Sequence, residues 1–308
     1  MYQQTSFLDR LRSFFGSSSA LPKLILINVI IWILIRFLGV FAFLFSSPGT
    51  DSSAALFSFV TQWLAVPADL GLLLLKPWTP FTYMFLHIDF LHLLFNMLWL
   101  FWFGQIFLQY LNNRQLVFTY IAGGIAGALL FILFYNIFPA FESALPAALA
   151  LGASASVLAI VVAIAFYVPN YTIYLLLIGP VKIKYVALFT IVIDFFMIRS
   201  GNAGGHIAHL GGAALGFLYI SLLSKGTDLS APFIIKKFGG IFGSFHTQKK
   251  KPFRNVYTSD KPLTDDEYNY QKVANQKKID SILEKIKRSG YDSLSKEEKE
   301  LLFSSSRK

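Results

Sequence analysis

His206-Ile207-Ala208-His209-Leu210-Gly211-Gly212-Ala213-Ala214-Leu215-Gly216 sets two imidazoles and a stripe of small residues in one apolar run. His206 and His209 are three apart and share a helix face. Gly212 and Gly216 continue that face as a small-xxx-small pair, which lets a second helix come very near inside a membrane. Leu151-Gly152-Ala153-Ser154-Ala155 opens another apolar run and has the small residues to be that second helix. Polar groups at membrane depth are costly, turn toward the protein interior and mark a functional site by default.

Composition supports a membrane setting. The chain has 308 residues, 55% hydrophobic and 14% charged, where a soluble domain is nearer a quarter charged. Mean hydropathy is +0.56. Several apolar runs approach the roughly 20 residues that span a bilayer. Six spans are predicted, at about 21–45, 87–110, 115–138, 148–168, 181–198 and 205–223, giving an all-α membrane bundle. Cysteine is absent, which excludes disulfides, thiol catalysis and Cys-based metal sites. No cofactor is expected.

Charge organises the ends. Residues 225–308 hold eighteen Lys/Arg against eleven Asp/Glu and supply seven of the ten net positive charges. With Arg10, Arg12, Lys23, Arg114, Lys182 and Lys184 on the same side, the positive-inside rule places both termini in the cytoplasm. A basic tail beside a membrane fits anionic lipid headgroups, and nothing further points to nucleic acid. The expected layout is a surface segment at 1–20, the six-span domain at 21–224, a basic linker at 225–262 and a small helical segment at 263–308. In the first of these, Phe7, Leu8, Leu11, Phe14 and Phe15 follow a helical period, suited to a short helix on the membrane surface rather than to a cleaved signal, with a disordered start as the alternative. In the last, Thr264-Asp265-Asp266-Glu267 and Ser295-x2-Glu298 fit helix starts. The 46–81 connection is apolar around Leu70–Leu75, and Trp63 and Trp78 suit an interfacial anchor. Arg36 lies within the first span and receives no role.

Three groups can carry chemistry. Ser154 near a helix start has unpaired backbone N–H groups beside it, which can receive an oxyanion; Gly152, Ser154 and Ser156 equally suit close helix packing. His209 can act as general base toward a serine on a facing helix, or make an interhelical hydrogen bond without chemistry; His206 is an additional candidate base. His92 and Asn96, at i and i+4, share a face and can donate toward developing negative charge. His87-Ile88-Asp89 with His92 has poor spacing for a metal on one helical face, and no second cluster completes a ligand set. Asp194 stands alone in the fifth span. It can orient His209, but a capped or solvated acid at a span's end is the preferred reading, leaving a two-residue engine.

His87-x4-His92-x3-Asn96, Gly152-Ala153-Ser154-Ala155 and His209-x2-Gly212-x3-Gly216 occur in the order and on the spans of one family. Over about residues 20–224 the chain resembles the rhomboid intramembrane serine proteases. The resemblance implies Ser154 as nucleophile and His209 as base in an acid-free dyad. It implies an oxyanion hole from His92, Asn96 and the backbone N–H groups of Ala153 and Ser154. Gly152, Gly212, Gly216 and His87 would give structural support. The fifth span and the loop after it would form the gate, and the substrates would be transmembrane helices cleaved near the non-cytoplasmic end. A bacterial inner-membrane location is expected. Departures are Ala155 where the family has glycine, Leu158 where many members have an aromatic ring, and Trp78-Thr79 in place of a Trp-Arg pair. The competing function is an inactive rhomboid-like factor that binds membrane proteins for quality control; a transporter is disfavoured because no internal repeat appears.

Overall fold

Asn112 and Gln115 start one of the central helices: each side chain accepts the other's backbone N–H at 3.0 Å, a reciprocal capping box. The structure, a computed structural model, describes residues 14–16, 18–47, 50–175, 178–199 and 201–232, and within a separate C-terminal unit 281–282, 284–286, 294–295 and 298–299. The elements run α1 (Ala20–Leu44), α2 (Ser52–Leu64), β1 (Val66–Pro67), α3 (Leu70–Leu75), α4 (Thr79–Thr82), α5 (Phe90–Tyr110), α6 (Asn113–Ile137), β2 (Leu149–Ala150), α7 (Ser154–Tyr167), β3 (Thr172–Leu175), β4 (Gly179–Lys182), α8 (Ile183–Phe196) and α9 (Ala203–Ser224), with short 3-10 turns between several of them.

Helices occupy all six predicted segments, but α1, α5, α6 and α9 are the ones long and apolar enough to cross a membrane. α7 and α8 have 14 residues each, about 21 Å at the helical rise and short of a ~30 Å hydrocarbon core. The expected start at 148 gives way because Leu149–Ala150 pairs antiparallel with Val66–Pro67 and Gly152 turns the chain at φ 117°. α7 therefore begins at Ser154. It is the centre of the bundle: every residue from Ala155 to Ala165 is buried, with α6 and α9 packed against it. A helix apolar on all sides belongs in such a position. On α6, Gly123 and Gly127 make room for it; a Cβ on Gly127 would lie 2.6 Å from the Ala155 Cβ.

The connection after α1 folds into α2, β1, α3 and α4 rather than a loop. Trp63 and Trp78 stack at 6.0 Å with rings 4° apart, and the Trp78 indole donates to the Trp63 carbonyl at 2.9 Å. Arg36, which received no role, has one. Its guanidinium and the Trp32 indole both donate to the Ile88 carbonyl, and it lies 4.8 Å from the Phe57 ring centre. These contacts pin the chain just ahead of α5. Between α7 and α8 the chain forms an unanticipated hairpin, Thr172 opposite Lys182 and Leu175 opposite Gly179.

α9 ends in a Schellman arrangement. Thr227 N–H donates to the Leu222 carbonyl and Gly226 N–H to Leu223, each at 2.9 Å, with Gly226 at φ 88°. The turn delivers Asp228 to Arg114 (2.8 Å), Tyr219 (3.1 Å) and Ser230 (2.6 Å). Partial burial by itself would raise the Asp228 carboxyl. Hydrogen bonds from Ser230 and Tyr219 and the Arg114 guanidinium outweigh it and hold the group below its ordinary range. A carboxyl depressed in the folded state adds stability above its unfolded pKa and loses it as pH falls through the folded value. The thermal midpoint in detergent is therefore expected to fall more steeply from about pH 5 to about pH 3 in the parent than in Asp228→Asn. Parallel curves would remove Asp228 as a contributor.

In the C-terminal unit, Ser295 N–H donates to Glu298 Oε2 (2.7 Å) and Glu298 N–H to Ser295 Oγ (3.3 Å), the capping box read from sequence. Ile282 and Leu294 are buried. Of the expected N-terminal surface helix over Phe7–Phe15, Phe14 and Phe15 are described and helical, while residues 1–13, most of the 225–262 linker and the Thr264–Glu267 start lie outside the described residues.

Candidate active site

α5, α7, α8 and α9 enclose a cavity of about 700 Å³. His92, Asn96 and Trp99 line it from α5, Ser154, Val157 and Leu158 from α7, Thr190 and Asp194 from α8, and His209 from α9. Serine and histidine thus reach one space from different helices. What brings them together is the near contact of two backbones. A Cβ on Gly212 would fall 2.1 Å from the Ala155 carbonyl oxygen, and one on Gly216 2.3 Å from that of Ala159. Only glycine admits such an approach.

Ser154 is the first residue of α7, so its backbone N–H lies among the orphan donors of the helix start. The turn before it is built around His92. A Cβ on Gly152 would lie 2.7 Å from the His92 ring, and the φ of 117° already favours glycine. Asn96 Nδ2 donates one hydrogen to the His92 carbonyl at 2.8 Å, leaving its second for the cavity. Among the described residues no hydrogen bond joins Ser154 Oγ to an imidazole; His209 is instead held from its other side, Nδ1 lying 2.9 Å from Asp194 Oδ1.

The Rhomboid domain family matches residues 75–226. The chain carries a rhomboid domain. A relative, "RHOMBOID-like protein 12, mitochondrial" from Arabidopsis thaliana, is 31% identical over 157 residues, 48% of this chain and 47% of that protein. The chain therefore spans about half the length of the curated relative it matches. Residues 264–308 match a separate family of unknown function, DUF6576. With its apolar helices, the rhomboid domain makes this an integral membrane protein.

Several positions in the rhomboid domain differ from the sequence reading. His87 precedes α5 instead of opening it and is fully buried. Its Nε2 accepts the Ala153 N–H at 3.3 Å. Ala153 was expected to donate its backbone N–H to an oxyanion; in the structure that N–H donates to His87 Nε2. His206 was an additional candidate base. It does not line the cavity, and its Nδ1 faces Asp194 Oδ1 at 2.8 Å. Asp194, expected capped or solvated, is buried and accepts from both imidazoles. Three residues could offer ligand atoms to a metal here, Asp194, His206 and His209, all within 4.8 Å. The two N···O contacts have hydrogen-bond lengths, whereas ligands around tetrahedral zinc stand about 3.3 Å apart. The Ala155 methyl, at one of the departures, packs toward Gly127 on α6 and does not line the cavity. Leu158, a second departure, lies on the cavity wall one turn after Ser154.

Proposed function

We propose that this rhomboid is an intramembrane serine endopeptidase whose substrates are transmembrane segments. The observation that supports it most is a shared cavity: the Ser154 hydroxyl at a helix start, His209 and the donors His92 and Asn96 all face the same 700 Å³. With Nδ1 engaged by Asp194, His209 offers Nε2 to the cavity. Nε2 takes the Ser154 proton as Oγ attacks a peptide carbonyl, and later returns it to the departing amine. The oxyanion formed in between is met by the Ser154 N–H and the side chains of His92 and Asn96. Water for the second half-reaction comes through the polar lining.

The peptide bond of an intact helix is shielded by its own hydrogen bonds, so the substrate must unwind locally to reach Ser154. α8 is the cavity wall with the fewest buried residues, Ile183, Ala187 and Asp194. It is the side on which a segment can enter. Six membrane segments, with α7 and α8 short and both termini cytoplasmic, complete the reading.

The test is covalent. A fluorophosphonate probe added to the purified full chain is expected to label it at Ser154, and labelling is expected to vanish in Ser154→Ala and His209→Ala. A folded parent protein that takes no label, while binding transmembrane peptides, would favour the inactive binding factor instead.

A further inference from the structure

We propose that Asp194 is a positioning residue that fixes His209 for proton transfer, and that His206 competes with His209 for the same carboxylate oxygen. This rests on the peptidase reading and departs from an acid-free dyad. Asp194 is on α8, while both histidines are on α9. Its Oδ1 lies 2.8 Å from His206 Nδ1 and 2.9 Å from His209 Nδ1, with 9% of its side chain exposed. An ionised carboxylate has no proton to give, so both rings carry theirs on Nδ1. For His209 this places the lone pair on Nε2, the nitrogen left for the cavity and Ser154. A neutral imidazole without that partner is free to take the other tautomer, in which Nε2 is already protonated and cannot accept from a hydroxyl.

The carboxylate has a second effect. When Ser154 Oγ bonds to the substrate carbonyl carbon, its proton moves to His209 Nε2 and the ring becomes an imidazolium. Asp194 stays ionised beside that charge and stabilises it in a site poor in water. The proton returns from Nε2 to the leaving amine, so Asp194 is unchanged over the cycle. His206 takes part in none of these steps. It draws on the same oxygen from outside the cavity, weakening the acceptor for His209, since one oxygen divides its lone-pair density between two donors.

The experiment uses the full chain in lipid nanodiscs. The second-order rate of fluorophosphonate labelling is measured for the parent, Asp194→Asn, His206→Phe and His206→Gln, with a thermal midpoint for each. Asp194→Asn is expected to label at least about 10-fold more slowly, and to lose kcat on a transmembrane peptide with KM unchanged. Both His206 variants are expected to label at the parent rate or faster. Asp194→Asn labelling within about twofold of the parent would overturn the proposal, as would an equal loss in the two His206 variants. Ring nitrogen-15 spectra, assigned by substitution, give a readout independent of activity and of how well the variants fold. The parent's His209 is expected to carry its proton on Nδ1; a proton on Nε2 would overturn the proposal even if Ser154 labels normally. Failure of the parent to label would overturn the peptidase reading and this one with it.

Discussion

Ser154→Ala is expected to lower turnover of a transmembrane peptide by at least about 10³-fold while leaving the thermal midpoint unchanged. Among the described residues, nothing nearby can replace the hydroxyl. Cysteine is absent from the chain. Ser156 is fully buried and faces Met84 and Gly124 on the far side of α7. Thr190 lines the cavity, but its hydroxyl is engaged by the Val186 and Ala187 carbonyls of its own helix. His209→Ala is expected to cost a similar factor. The double variant is expected to cost no more than either alone, because base and nucleophile act as one unit. His206 cannot stand in, since its ring lies outside the cavity. Residual cleavage above about a tenth of the parent rate in either variant would show that the proton or the attacking oxygen comes from elsewhere.

Gly212→Ala is expected to be the most damaging single methyl in the bundle. The added carbon would sit 2.1 Å from the Ala155 oxygen, 2.8 Å from its carbonyl carbon and 3.1 Å from its Cα. All three are backbone atoms, so no rotamer change relieves the clash, and α9 must retreat from α7. Overpacking that a side chain can absorb costs about 1–3 kcal/mol; here the cost is expected at or above the top of that range. Retreat would also carry His209 away from Ser154, whose neighbour Ala155 is the residue struck. Gly212→Ala should therefore lose both thermal stability and probe labelling. Gly216→Ala, one turn further from the site and 2.3 Å from the Ala159 oxygen, should lose stability with a smaller effect on labelling. An unchanged midpoint in Gly212→Ala would mean that the two helices stand further apart than described.

Much of this was legible in the sequence. Local periodicity and small-residue spacing marked Ser154, His209, the His92–Asn96 face and the Gly212–Gly216 approach as candidates, because each is a property of one helix; the roles assigned to them came from the family resemblance. What escaped were relations between elements. Asp194 is one acid in an apolar run, and nothing in its neighbourhood tells that two imidazoles from the next helix will converge on it. The pairing of Ala153 with His87 depends on a turn whose direction is set by His92 filling the space over Gly152. The shortness of α7 follows from a strand pairing with a segment more than eighty residues earlier, and the fit of Ala155 on Gly127 from a neighbouring helix. The Ser295–Glu298 box, a purely local motif, was readable directly.

The pairing of Val66 with Ala150 leaves only three residues between that clamp and Ser154. The segment from 46 to 81 is consequently a lever on the proposed nucleophile. Bilayer thickness, lateral pressure or a neighbouring protein that tilts this segment will be felt at Ser154 through a stitched strand rather than through the helical bundle. Deletions or tags placed there should then register as altered chemistry before they register as unfolding.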